Sequence, residues 1–326
     1  MSAARQLTLS VLAAAALVLL LAVGIAAATE ASPSAAPAGP RLAVAKINWK
    51  PQRTTLISVD ANGRRQARLA GGEPEGPIYT LTTLSPLSWR PDGSEVAFDG
   101  VGTIVVAKAD GSGTHELNLA GAESPIYAPD NETLAFTRTE GRKAAAAWTV
   151  NLATGAQRRI TPLRNGLEYV AASFSPDSST LLATIVNHRK GRVEPVALDL
   201  GTGTERRLLA EGREPVYSPD GTKIALFRAA GPNDYDDLFV LDVGSGKLRR
   251  LTNTPDNDEL FVSWDPSGQR LAFDRYRGDH YEWANSIIEI NADGSCETEV
   301  LAKRRTVYYG ASWQPGPGRG AGRIDC

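Results

Sequence analysis

Residues 211–252 read EGREPVYSPDGTKIALFRAAGPNDYDDLFVLDVGSGKLRRLT. Four short runs stand out in that stretch: PVYS at 215–218, KIALF at 223–227, LFVL at 238–241 and LRRL at 248–251. Pro219-Asp220-Gly221 separates the first pair. Gly231-Pro232-Asn233 separates the second and third, and Asp242-Val243-Gly244-Ser245-Gly246 the third and fourth. Pro presets φ at the second turn position, and Gly takes the conformations other residues resist. The stretch therefore predicts four antiparallel strands. So small a unit cannot bury both faces of its sheet, and it needs copies of itself on either side.

The copies exist. Pro219 has counterparts at Pro91, Pro129, Pro176, Pro266 and Pro315, at spacings of 38, 47, 43, 47 and 49 residues. Two positions before each stands an aromatic: Trp89, Tyr127, Phe174, Tyr217, Trp264, Trp313. Aromatics make up only 7% of the chain, so their presence in all copies is a repeat signal. Asp92, Asp130, Asp177 and Asp220 follow the Pro, with Ser267 and Gly316 as exceptions. The second run returns as VAF at 96–98, LAF at 134–136, LLA at 181–183 and LAF at 271–273. Four strands every 45 residues or so predict an all-β chain folded as a six-bladed β-propeller of four-stranded blades. The last copy stops after its first strand (GASWQP, 310–315), and the first region, from residue 42, has only the other three. The N- and C-terminal strands are thus expected to complete one shared blade, which also covers open sheet edges.

The copies SWRPDGSEVAF, VYSPDGTKIALF and SWDPSGQRLAF, each followed by a third strand and an RRLT-like fourth, resemble the WD40-like repeat of TolB-type propellers. The resemblance covers residues 41–315. It implies the propeller fold, which serves envelope scaffolds and the gating propellers of prolyl-oligopeptidase-like enzymes alike. Members with the Tol–Pal role carry an α/β domain ahead of the propeller; here a short Ala/Pro/Ser linker, residues 29–40, stands in that place.

Ahead of the linker, residues 7–28 are almost wholly apolar and end in Ala26-Ala27-Ala28. That pattern predicts a signal peptide over residues 1–28, or an uncleaved anchor, and hence export to the periplasm, envelope or exterior. An even pair of cysteines in an exported chain suggests a disulfide between Cys296 and Cys326, tying the tail at 316–326 to the seam. A net charge of −2 argues against a phosphate-binding surface, so no nucleic-acid partner is expected. A monomer is expected.

Function is expected on the long loops between second and third strands and between blades, which share one face. The richest is Arg275-Tyr276-Arg277-Gly278-Asp279-His280-Tyr281-Glu282-Trp283. Aromatics and Arg are over-used at binding hot spots. Arg275, Tyr276, Arg277, Asp279, His280, Tyr281 and Trp283 are therefore binding candidates. Against this, Arg275 recurs as Arg138 and Arg228, which suits a structural bridge. Asp234, Tyr235, Asp256 and Asp258 join the set from neighbouring acidic loops, which could offer Ca²⁺ oxygen ligands but match no EF-hand spacing. No cofactor is otherwise expected.

No G-x-S-x-G elbow is present, and the three His (His115, His188, His280) fall in no zinc pattern. The first strands offer few carboxylates to a site on the axis, Asp265 being the clearest and reading as a turn cap. The expectation is a non-enzymatic binding module for a protein or envelope component, at the long-loop face or axial mouth. The alternative is a carbohydrate-active hydrolase or lyase, which would need two or three carboxylates converging at the axis.

Overall fold

The computed structural model describes residues 39–49, 52–71, 86–141, 143–230, 235–277, 285–303, 306–316 and 318–326. The expected signal peptide and most of the linker lie outside them. Every regular element among the described residues is a strand. β1 (Arg41–Trp49), β2 (Gln52–Asp60) and β3 (Ala67–Gly71) are three strands of a sheet completed last. Next come β4 (Ser88–Trp89), β5 (Glu95–Asp99), β6 (Ile104–Lys108) and β7 (Thr114–Glu116). β8 (Ala122–Tyr127), β9 (Thr133–Thr139), β10 (Ala145–Asn151) and β11 (Gln157–Arg159) follow. The meander repeats as β12 (Leu167–Phe174), β13 (Thr180–Asn187), β14 (Arg192–Asp199) and β15 (Glu205–Arg207). It repeats again as β16 (Arg213–Tyr217), β17 (Lys223–Ala229), β18 (Asp236–Asp242) and β19 (Leu248–Arg250). The last full copy is β20 (Asn257–Trp264), β21 (Arg270–Arg277), β22 (Asn285–Asn291) and β23 (Thr298–Ala302), and β24 (Thr306–Trp313) ends the series.

β24 pairs antiparallel with β1, giving the order β24-β1-β2-β3. The two ends of the chain thus share a sheet. The expectation of separate four-stranded sheets needs one correction. The hydrogen-bonded sheets are four of four strands and one of eight, because a parallel bridge between Ala145 and Glu168 joins the β8–β11 and β12–β15 meanders. The first strands β4, β8, β12, β16, β20 and β24 touch in that cyclic order, with β24 returning to β4, so the sheets stand in a closed ring. At the return, the Trp89 indole donates to Ser312 O at 3.0 Å and Gln314 Nε2 to Gly93 O at 2.7 Å.

The core lies between neighbouring sheets rather than within one. Ala225, Phe227, Leu238 and Val240 of one sheet pack with Val262, Trp264, Leu271 and Phe273 of the next. Leu56, Leu69 and Ala43 pack with Trp89, Val96 and Phe98 across the seam. This is why both faces of the second and third strands are apolar, as in LAF at 134–136 and LFVL at 238–241, while outermost strands such as β7, β11 and β15 are polar and exposed. The turns are held locally. In the Pro219 turn, Gly221 N donates to Ser218 O, and the Asp220 carboxylate takes the Ser218 hydroxyl and the Thr222 amide. Those bonds favour its ionised form and bring its pKa down to about 2.

A second device recurs on the first strands. β8, β12, β16 and β20 each carry a bulge, as does the β1–β24 pairing. Ser124, Glu214 and Phe261 take left-handed φ values of 54°, 51° and 58° there. A bulge leaves an amide without a ladder partner. The preceding meander supplies the acceptor: Asp99 for Ser124 N, Thr137 for Ala171 N, Thr184 for Glu214 N, Asp274 for Gly310 N. Polar side chains are thereby drawn to the inner edge of the ring. Cys296 and Cys326 are joined in a disulfide, their Cα atoms 5.5 Å apart.

Candidate functional site

The first strands all start at the long-loop face and run toward the Pro turns, so their starting residues gather at one mouth of the ring. On four of the six, β8, β12, β16 and β20, an acid lies at the second position. They are Glu123 of β8, Glu168 of β12, Glu214 of β16 and Asp258 of β20. Asp99 and Asp274, 1% and 0% exposed, lie beneath them as bulge-amide acceptors.

The electrostatics show that these groups feel one another. Burial raises the Glu123 carboxyl, and the charges of Asp99 and Glu168 raise it further. Burial also raises Glu214; its bond from Phe261 N at 2.8 Å and the Arg213 charge oppose that shift, and Asp258 reinforces it. Asp274 is raised well above the usual carboxylate range by burial, despite its bond from Gly310 N at 2.8 Å, and Glu214 adds to the shift. Two basic groups stand among them. Arg213 pairs with Asp236 at the head of β18. His188 Nε2 lies 3.0 Å from Glu168 Oε1, close enough for charge pairing though not aligned as a hydrogen bond. Among the described residues no three His, Cys, Asp or Glu side chains converge as a metal site.

The sequence-derived candidates are placed differently. Arg275 is a clamp: its guanidinium donates to Glu259 at 2.9 and 2.7 Å and to Glu297 Oε2 at 2.8 Å, and it lies over the Phe273 ring. Arg138 repeats the arrangement between the Phe136 and Trp148 rings. Tyr276 is 1% exposed and sits in the core, which removes it from any ligand-facing set. Asp258 is buried and accepts from Asp236 N at 2.9 Å. Tyr235 is half-buried, and Arg277 and Asp256 are exposed. Asp234, Asp279, His280, Tyr281 and Trp283 lie outside the described residues. Asp265 caps its turn through Gln269 N and Arg270 N, both at 2.9 Å.

The expectation of few axial carboxylates is corrected: the structure has two interacting sets near the mouth, Glu123 with Asp99 and Glu168, and Glu214 with Asp258 and Asp274. A signal for Glu123, Glu168 and Glu214 existed. Each precedes its repeat's marker aromatic, Tyr127, Phe174 or Tyr217, by no more than six residues.

A closed ring of four-stranded meanders, with the first strands innermost and the chain ends sharing a sheet, decides the fold class. It also matches solved structures. TolB from Acinetobacter baumannii superposes with a TM-score of 0.70 at 19% identity, over 85% of this chain and 67% of that one. The chain has the fold of the TolB propellers. A putative TolB from Agrobacterium tumefaciens gives a TM-score of 0.63 at 16% identity, over 86% of this chain and 100% of that one. Among curated proteins, the Tol-Pal system protein TolB of Francisella tularensis is 22% identical over 248 residues, 72% of this chain. This TolB-like chain spans only 55% of that relative's length. No family model matches the chain.

Proposed function

We propose that this chain is an exported, non-enzymatic propeller of six blades, one per meander, that binds a basic segment of a protein or envelope component at the acidic mouth of its axis. The observation that carries this reading is the convergence of Glu123, Glu168, Glu214 and Asp258 at the starts of successive first strands. Like charges gathered in a partly desolvated mouth focus a negative potential that attracts Lys and Arg side chains. Burial raises Glu123 and Glu214 and repulsion from neighbouring acids adds to it; an incoming cation would relieve that repulsion. The TolB-named relatives support a role in the envelope, and the apolar leader supports export. Ca²⁺ belongs to this reading only as a competitor for the same carboxylates.

One observation favours a second reading, a carbohydrate-active hydrolase or lyase. Glu123 feels the charges of Asp99 and Glu168, and with its carboxyl raised by burial and by those charges it has the character of a general acid. The binder is preferred because Asp99, Glu214 and Asp274 already hold bulge amides. Their burial has a structural cause.

The test is crosslinking capture from the native envelope, with the wild-type chain and a Glu123→Gln/Glu168→Gln variant as baits. A protein captured by the wild type and lost by the variant supports the reading. Release of oligosaccharide from a glycan panel by the wild type, abolished in the variant, would replace it with the enzymatic one.

A further inference from the structure

The C-terminal tail crosses the short-turn face of the β20–β23 sheet, far from the acidic mouth, and it is bound there almost entirely through its backbone. Ala321 N donates to Asp265 Oδ2 at 2.9 Å. Arg270 donates to Gly322 O at 3.0 Å and Ala321 O at 3.3 Å. Asn291 takes both polar groups of one residue, accepting from Ile324 N at 2.7 Å and donating to Ile324 O at 3.0 Å. Side-chain contacts add direction: Arg323 pairs with Asp293 at 2.6 Å and donates to Ser295 Oγ at 3.2 Å, and Arg319 donates to Gly39 O at 2.7 Å. Shape adds another constraint, because a Cβ at position 320 would stand 2.9 Å from the Ser267 Cβ, so the path admits only glycine there.

The receiving residues are unusual for this chain. Asp265, Arg270, Glu289 and Asn291 are all buried, Arg270 being the most exposed at 8%. At the register position of Glu289, the other units carry Ser58, Val240, Ala197, Thr149 and Val106, none of them charged. Buried polar groups cost stability unless each finds a partner. Here the partners of Asp265, Arg270 and Asn291 are peptide groups of an extended segment. Glu289 completes the set by pairing with Arg270 at 2.7 Å.

We propose that this face is a binding groove for an extended peptide of Gly-small-Gly-basic character, with the chain's own tail as resident occupant and the Cys296–Cys326 disulfide as its latch. The tail is already tethered through β24, and the bond pins its other end beside the groove, which raises its local concentration further and lets it outcompete any free peptide. A dithiol reductant opens the latch. Each cysteine sulfur gains one electron and one proton, and the dithiol leaves as its cyclic disulfide. The freed groove then accepts a matching segment in trans.

The experiment uses the full mature chain and a labelled nonapeptide, GRGAGRIDS, which is the tail from residue 318 with Cys326→Ser. Anisotropy is read with the chain oxidised and after reduction, and amide exchange is followed at Ala321 and Ile324. The expected result is no uptake by the oxidised chain and saturable uptake after reduction. At least tenfold weaker uptake is expected for a peptide carrying Gly320→Leu, and at least tenfold loss of protection at both amides. A variant ending at Gly316 removes the competing tail, and its circular dichroism reports whether the fold is kept. Reduced dimers formed by mutual tail exchange would also support the groove. No uptake by the folded truncated variant, or equal uptake of the Gly320→Leu peptide, would overturn it.

Discussion

Replacing Arg275 with Met separates a structural role from a binding role for the residue that leads the sequence-derived candidates. Glu259, 0% exposed, faces the Arg275 guanidinium from one side. From the other it receives Thr252 Oγ1, Thr254 Oγ1 and Leu238 N of the preceding sheet, the last at 3.1 Å. Loss of Arg275 leaves a buried carboxylate with neutral donors only. Breaking a buried pair by removing one partner costs about 3–5 kcal/mol. The second contact, to Glu297 at 40% side-chain exposure, adds little, about 0–1 kcal/mol. At about 2–4 °C per kcal/mol for a large domain, Tm should fall by roughly 10 °C. The deficit should also depend on pH. Burial raises Glu259 and Arg275 is the largest opposing influence, so the variant's Glu259 rises further. A carboxyl raised on folding costs stability above its folded pKa, and that cost disappears as pH falls below its unfolded value. The Tm gap should therefore be wide at pH 8 and narrow toward pH 5, and Glu259→Gln in the same chain should recover most of it. Melts by circular dichroism across that range are the assay. A Tm within 1 °C or so of wild type, or a gap indifferent to pH, would refute the reasoning.

Other outcomes follow from the same geometry. Gly93 has φ of 73°, and an added Cβ would meet Pro315 O at 2.6 Å, so Gly93→Ala should destabilise the seam by about 1–3 kcal/mol in urea unfolding. Asp274→Asn should flatten the wild type's loss of stability as pH rises above the ordinary carboxylate range, since Asp274 is raised well above it. Melts from pH 4 to 9 report this. Cys326→Ser opens a bond with a sequence separation of 30 and should lower stability by about 3–4 kcal/mol by the loop-entropy relation, read by denaturant titration. Capture of a basic peptide by the wild type should weaken steeply with salt, and the Glu123→Gln/Glu168→Gln chain should show a shallower slope.

What was legible in the sequence is what repeats. The aromatic two places before each Pro recurs because it seals one sheet to the next; Trp89 and Trp264 also donate their indole N–H across that joint. The turn aspartates recur because each closes its own turn. The carboxylate mouth does not repeat in type or offset. Glu123, Glu168 and Glu214 are distant in the chain and share one mouth only when the ring closes, and the one local signal they carry, nearness to the marker aromatic, comes at no fixed offset. The loop after β21 misled in the opposite direction. Arg275 and Tyr276 have the residue types of a hot spot, but strand alternation and the approach of Glu259 turn one into a clamp and the other into core. The tail was legible only as a cysteine pair. Its path depends on Arg270, Asn291 and Asp265, whose convergence requires the folded sheet.

The site itself can be located by photo-crosslinking in the native envelope. One chain carries the photoreactive residue at Asn165, exposed beside the start of β12 on the long-loop face; a second carries it at Thr222, exposed on the short-turn face. Binding at the acidic mouth predicts a discrete adduct from Asn165, reduced by Glu123→Gln/Glu168→Gln and by high salt, and none from Thr222. An adduct from Thr222 alone, or one from Asn165 that ignores both the substitutions and the salt, would contradict it.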